Sequence, residues 1–190
     1  MSIEQKHHSS EPPIVEPKEF LSKPFERLNV GELRKAPNIN FLKWLPKIPN
    51  ETGLVYQDPR WFVIKASELG VPKWIMPENS DILLHSHPHE KGGIKNAEAI
   101  PSMRDFLNSS PYAKNFIVSK KGITEYKAIN HSAKEYLQRQ IVRGKTFSEH
   151  KIQDYLDFLG EILARFKVYP WKELDNKRLA ILFQTKKIAS

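Results

Sequence analysis

The amino-acid sequence predicts an α/β (α+β) domain with its β-strands in the middle of the chain and helices mainly in the last third. Between residues 50 and 128, short segments rich in β-branched and aromatic residues are separated by turn residues, as in a sheet. After residue 130, apolar residues recur every three or four positions, as on one face of a helix. A chain of 190 residues with 39% hydrophobic content is long enough for one well-packed domain.

The N-terminal region divides into an arm and the start of the domain. Prolines, serines and charged residues dominate the first 18 residues, which predicts a flexible arm over 1–18 and a single domain over 19–190. Between residues 20 and 44 apolar residues become more frequent, but prolines interrupt them. We predict short helical or irregular pieces packed on the core there.

The strands of the sheet are predicted next along the chain. A strand-turn-strand unit spans 53–64, with its turn at Gln57-Asp58-Pro59-Arg60. Residues 81–85 are a short apolar run typical of a buried strand. A hairpin spans 115–127, with Gly122 in its turn.

A helical extension is predicted over 130–170. Capping boxes of the S/T-x-x-E kind open two helices, at Ser132 and at Thr146. The apolar stripe of the second helix continues to Phe166, and we assign it to core packing in preference to a dimer interface. Residues 179–183 could form a final strand or a helix.

Composition excludes several classes of protein. There is no cysteine, which rules out disulfides, thiolate catalysis and cysteine-type zinc fingers. No apolar run approaches the roughly 20 residues that span a bilayer, and no secretory signal is visible, so we expect a cytoplasmic protein without membrane association. The net charge of +8 is spread along the chain, which favours a solvated basic surface over a nucleic-acid groove.

Two histidines and an aspartate form the most informative pattern. His85 and His87 are separated by one residue at the end of a predicted strand, so their side chains should point to the same face. Asp105 lies in Ser102-Met103-Arg104-Asp105, an ordinary sequence for the start of a helix. A carboxylate from that helix could complete a three-ligand site, and a catalytic zinc site needs three such ligands with a fourth position left to water.

His85-Ser86-His87-Pro88 followed by Ser102-x-x-Asp105 resembles the signature of the JAMM (JAB/MPN) metalloenzymes. The resemblance covers about residues 50–128. It implies a curved mixed β-sheet flanked by helices, with cytidine-deaminase-like layering, and Zn²⁺ bound by His85, His87 and Asp105. It also implies that Glu51 is the general base and that Ser102 donates a hydrogen bond to the oxyanion.

The activity that the resemblance implies is hydrolysis of an amide or isopeptide bond by a metal-activated water, as in a deubiquitinase. The substrate would be a protein, ubiquitin or a ubiquitin-like protein among the candidates. Two alternatives stay open. The chain could be a binding or scaffold module of the same fold with little or no catalysis, or a basic nucleic-acid-associated protein like the RadC relatives. The sequence does not indicate the oligomeric state.

The chain departs from the family pattern between His87 and Asp105. The 18-residue spacing is longer than usual, and residues 89–100 resemble an enlarged polar loop over the site. Glu98 would match the usual spacing but lacks a serine three residues earlier, so we prefer Asp105. His89 is expected to be exposed.

The general base has three candidates. Glu51 is preferred because Glu51-Thr52-Gly53-Leu54 resembles the early glutamate segment of the family. Glu68 and Glu32 are the others, and each of the three could equally be a surface carboxylate. Other metal-site motifs fit less well: the H-E-x-x-H pattern that begins at His89 fails because residue 93 is glycine.

Overall fold

A mixed sheet of eight strands lies at the centre of the computed structural model, which describes residues 12–23, 29–65, 79–87, 99–144 and 152–184. The strands are β1 (Ile14–Val15), β2 (Asn29–Leu33), β3 (Thr52–Gln57), β4 (Arg60–Lys65), β5 (Ile82–Ser86), β6 (Lys114–Ser119), β7 (Gly122–Tyr126) and β8 (Phe166–Pro170). The helices are α1 (Pro17–Ser22), α2 (Ile39–Trp44), α3 (Met103–Asn108), α4 (His131–Val142), α5 (Ile152–Glu161) and α6 (Asn176–Leu182). The α/β class is therefore confirmed.

The order of the strands across the sheet is β1-β2-β4-β3-β5-β6-β7-β8. The β1–β2 and β5–β6 pairs are parallel, and the other five pairs are antiparallel. A chain that leaves β5 must cross over before it can form a parallel β6, and α3 lies on that crossover. The carboxyl end of β5 therefore meets the start of α3.

Helices cover both faces of the sheet. Leu84 of β5 packs on the face that carries α1, α2 and α6, together with Leu42 and Leu179 from those helices. The opposite face carries α3, α4 and α5, where Phe106, Leu137 and other residues of these helices pack on the sheet. Successive side chains of a strand alternate between faces, so His85, next to Leu84, lies on the α3 side.

The strands expected in the middle of the chain are confirmed. Residues 53–56 and 61–64 fall inside β3 and β4, and residues 82–85 fall inside β5. The predicted hairpin is β6–β7, and the position of Gly122 in its turn has no room for a side chain. A Cβ at Gly122 would lie 2.1 Å from the carbonyl oxygen of Tyr169 on β8, so a side chain there would clash with that backbone.

The N-terminal region is more regular than predicted. Residues 1–11 of the expected arm lie outside the described residues. From residue 12 onward the chain joins the sheet at β1 and then enters α1. Val15 packs against Gly31, where a Cβ would lie 2.4 Å from a Val15 methyl carbon. β2 is a strand inside a stretch expected to be helical or irregular; its five pairs with β4 supply backbone hydrogen bonds that the local sequence does not reveal.

The C-terminal third contains a strand, β8, that the helical spacing of its apolar residues did not predict. The apolar stripe predicted a helix as far as Phe166, but α5 ends at Glu161. Leu163 has φ 52°, and the Ala164 N–H donates to the Leu159 carbonyl at 2.9 Å, which closes the helix with a left-handed residue. The chain then forms β8 along β7, which covers an edge that would otherwise be unpaired.

Two further expectations about the helices are resolved. The cap of α4 is Asn130, whose side chain accepts a hydrogen bond from the Ala133 N–H, so the cap predicted at Ser132 is wrong. The capping box predicted at Thr146 lies outside the described residues. Residues 179–183, left open between strand and helix, belong mainly to α6. Within the described ranges, no helix is long and apolar enough to cross a membrane.

Candidate metal centre

His85 and His87 project from the carboxyl end of β5 on the side of α3. His85 is the fourth residue of the strand and pairs with Ile117 of β6. The His87 N–H donates to the Val118 carbonyl at 2.8 Å, which continues the pairing with β6 one residue beyond the strand. The two rings therefore stay on one face, with their centroids 5.0 Å apart.

The first turn of α3 presents Asp105 to these rings. Ser102 is the N-cap of α3: its Oγ accepts a hydrogen bond from the Asp105 N–H at 3.2 Å. In return, Asp105 Oδ2 accepts a hydrogen bond from the Ser102 N–H at 2.6 Å. This reciprocal capping box is the structural role that the S-x-x-D sequence predicts. It leaves Oδ1 of Asp105 without a part in the cap.

Ring nitrogens and carboxylate oxygens of these three residues lie close together, and one potential ligand atom from each residue lies within 4.8 Å of the others. The distances are 3.0 Å between His85 Nε2 and Asp105 Oδ1, 3.4 Å between His87 Nε2 and Asp105 Oδ2, and 3.2 Å between the two Nε2 atoms. In a tetrahedral site with metal–ligand bonds of about 2.0–2.1 Å, neighbouring ligand atoms lie about 3.3–3.4 Å apart. The three residues could therefore hold a metal ion, and no other group of three potential ligands occurs in the described part of the chain.

The cluster is sheltered but still reachable from solvent. The side chains of His85, His87 and Asp105 are 12%, 18% and 13% exposed. Burial alone would raise the pKa of Asp105. The two histidines outweigh that effect by charge and hydrogen bonding, and they hold the pKa of Asp105 well below its ordinary value. The carboxylate is therefore ionised near neutral pH, as a metal ligand must be.

Two hydroxyl groups anchor the segment that leads into α3. Thr124 of β7 donates a hydrogen bond from Oγ1 to the Ala99 carbonyl at 2.5 Å. Tyr155 of α5 donates from its hydroxyl to the Pro101 carbonyl, also at 2.5 Å. Sequence reasoning missed both: Tyr155 belonged to the apolar stripe of a helix, and nothing local marked Thr124. Only the tertiary structure connects them with Ser102.

Glu51 lies beside the cluster without belonging to it. It directly precedes β3, and the neighbouring Thr52 N–H donates to Ser86 Oγ at 2.9 Å. Gly53 pairs with His85, so Glu51, two residues earlier, stands on the same side of the sheet as the histidines. Glu51 is half-buried and makes no hydrogen bond or ion pair within the described residues. Its carboxylate is therefore not committed to another side chain there.

The remaining candidate residues from the sequence either lie far from the cluster or fall outside the described residues. Glu32 lies on β2, three strands from β5 and so about 14 Å away across the sheet. Its Oε2 lies 3.5 Å from a guanidinium nitrogen of Arg60. Glu68, His89 and Glu98 lie outside the described residues, as does most of the enlarged loop predicted over 89–100.

Comparisons of the chain with protein-family models, with curated proteins and with solved structures find no match. The resemblance to the JAMM metalloenzymes therefore rests on the sequence motifs alone.

Proposed function

We propose that this protein is a zinc-dependent hydrolase of amide or isopeptide bonds, of the JAMM type. One observation carries the proposal: His85, His87 and Asp105 each bring a potential ligand atom to the carboxyl end of a strand, and these atoms all lie within 4.8 Å of one another. Two imidazoles and one carboxylate are three of the four ligands of a tetrahedral hydrolytic zinc site, and the fourth position is left to water.

Within this proposal His85 and His87 bind the metal through Nε2, and Asp105 binds through the Oδ1 that the capping box leaves free. A zinc ion held there would lower the pKa of its bound water from far above the neutral range to about 7. The donor set fits this ion because all three groups are nitrogen or oxygen ligands that bind in the neutral or anionic form.

Glu51 takes the role of general base. Its half-buried carboxylate stands on the histidine side of the sheet and has no other partner among the described residues. It accepts the proton released when water adds to the carbonyl carbon, and it returns that proton to the leaving amine when the C–N bond breaks. Ser102 is exposed at the start of α3, and its hydroxyl proton is available to the oxyanion because its Oγ only accepts in the capping box.

The substrate proposed is a protein joined through an amide or isopeptide bond, such as ubiquitin or a ubiquitin-like protein. Support for this choice comes from the motif resemblance, while the support for metal binding comes from the geometry. A metal-binding module without hydrolytic activity is therefore a separate outcome, and an experiment must distinguish the two.

Metal content and hydrolysis should be measured on the same preparations. We expect one zinc ion per chain in the wild type and cleavage of a ubiquitin C-terminal amide or of ubiquitin dimers. Asp105→Asn should lose the metal. Glu51→Gln should keep the metal but lose activity by a factor of about 10²–10⁴, the usual contribution of a positioned general base.

Glu32→Gln is the matched control for Glu51→Gln, because Glu32 also stands on the sheet but about 14 Å away. It should leave both measurements unchanged. Metal binding without hydrolysis of any amide substrate would support the non-catalytic module, and a wild type that binds no divalent metal would refute both readings. Zinc, iron and manganese should be compared, because two histidines and one carboxylate also suit ferrous iron.

A further inference from the structure

Tyr126 is a buried tyrosine beside the proposed centre. It ends β7, and its side chain lies on the α3 side of the sheet because Ile117 pairs with both His85 and Thr124, two residues from Tyr126. Its ring packs edge-on against Phe106, with centroids 5.6 Å apart and an interplanar angle of 81°. Phe106 directly follows the ligand Asp105, so Tyr126 contacts the turn that presents this ligand.

The hydroxyl of Tyr126 has no hydrogen-bond partner among the residues that the structure describes, although the residue is only 5% exposed. Its oxygen is not completely enclosed. Tyr155, equally buried on the same side of the sheet, donates its hydroxyl to the Pro101 carbonyl. Buried hydroxyls are normally paired because an unpaired one costs stability, and exceptions concentrate at functional sites.

The charges around Tyr126 favour its role as a donor. Burial raises the pKa of Tyr126 well above its ordinary value, and the negative charges of Asp105 and Glu51 raise it further. The phenol therefore stays protonated over the whole range in which a hydrolase works. Its ring packs on Phe106, the residue that follows Asp105, so the phenol stands beside the turn of the proposed centre.

We propose that the Tyr126 hydroxyl donates a hydrogen bond to the ligand oxygen in this centre, either the carbonyl oxygen of the scissile amide or the carboxylate of the product. The inference rests on the proposed function and adds a substrate-binding group to it. The hydroxyl has no partner among the described residues because its partner is the ligand.

The test uses the full-length chain loaded with Co²⁺, whose visible absorption reports on its ligands, and acetate as the probe for a product carboxylate. Tyr126→Phe keeps the ring that packs on Phe106 and removes only the hydroxyl. We expect at least about tenfold weaker acetate binding, the usual effect of losing a hydrogen bond to a charged group, with unchanged Co²⁺ affinity. The melting temperature should stay the same or rise, because no internal hydrogen bond is lost.

Tyr136→Phe is the matched control, since Tyr136 lies on α4 and its ring stacks on Phe158, with centroids 6.1 Å apart, and not on Phe106. It should not change acetate binding. If Tyr126→Phe binds acetate like the wild type, or mainly loses thermal stability, the inference is overturned and the proposed hydrolase is unaffected. Weaker acetate binding in a protein that hydrolyses no amide would support the inference and contradict the proposed function. Failure of the wild type to bind Co²⁺ would overturn both.

Discussion

Replacement of His87 by alanine should remove most of the stabilisation that we expect zinc to give this protein. His87 is one of the three residues of the cluster, with its Nε2 3.2 Å from that of His85 and 3.4 Å from Asp105 Oδ2. The two residues that remain would hold a zinc ion far more weakly. Loss of a hydrogen-bonded partner of a metal ligand already costs about 10–100-fold in affinity, so loss of a ligand should raise the Kd at least about 100-fold, or about 2.7 kcal/mol.

The size of the effect on stability follows from linkage. Zinc at about 100 times its Kd should stabilise the folded wild type by about 2.7 kcal/mol. The same concentration would only match the Kd of His87→Ala, which then gains about 0.4 kcal/mol. For a chain of 190 residues, 1 kcal/mol changes the melting temperature by about 2–4 °C. A shift of about 5–11 °C in the wild type should therefore fall to about 1–2 °C in the variant.

Thermal unfolding at increasing zinc concentrations, with metal analysis of the dialysed proteins, measures both quantities. His131→Ala is the matched control: His131 Nε2 lies 3.2 Å from Glu135 Oε1, but these side chains are 88% and 55% exposed. It should keep the full shift. A second control replaces His7 and His8, an adjacent pair near the N-terminus that could bind zinc adventitiously. The reasoning is refuted if His87→Ala retains the wild-type shift.

Three further predictions concern the surroundings of the site and one distant pair. Ser102→Ala should cost about 1 kcal/mol of unfolding free energy through loss of the α3 cap, and in zinc titrations it should lose much less affinity than Asp105→Asn. Tyr155→Phe leaves a buried carbonyl unpaired, so denaturant unfolding should show a loss of about 1–3 kcal/mol. Asp58 accepts a hydrogen bond from Tyr56 and raises the pKa of Tyr56 to about 12. This contact stabilises the fold below about pH 10, the unfolded pKa, and is lost as the pH rises through about 12. Tyrosinate absorbance should show that Asp58→Asn returns the titration of Tyr56 toward its ordinary range, and an unchanged titration would contradict the assignment.

A strand could be predicted from the sequence where its own apolar pattern is that of a strand, and it was missed where that pattern resembles a helix or where pairing with a distant strand decides the structure. β3 to β7 were predicted because their apolar runs are short and bounded by turn residues. β8 was not, because its first residue, Phe166, continues the helical spacing of α5. The helix ends before Phe166 because Leu163 adopts a left-handed conformation and because the following residues pair with the edge of β7. Neither cause can be deduced from the spacing of apolar residues. β2 was missed because its partner, β4, lies about 30 residues further along the chain.

The site shows the same division between local and tertiary information. His85, His87 and Asp105 could be selected from the sequence because strand alternation and a helix start both constrain where their side chains point. Tyr126 could not be selected, because a tyrosine at the end of a hairpin has no distinctive neighbours in sequence. Its hydroxyl, which has no partner in the described part of the chain, becomes informative only once Phe106 is packed against its ring.

The 18-residue spacing between His87 and Asp105 does not prevent the cluster from forming, because the chain is anchored independently after His87 and before Asp105. At one end, the His87 N–H pairs with Val118 of β6. At the other, Thr124 and Tyr155 bind the backbone carbonyls just before α3. Doubling the length of a flexible loop costs only about 0.6 kcal/mol in closure entropy, which is less than one of these buried hydrogen bonds typically contributes. The position of the aspartate relative to the histidines therefore depends on these anchors more than on the number of residues between His87 and Asp105.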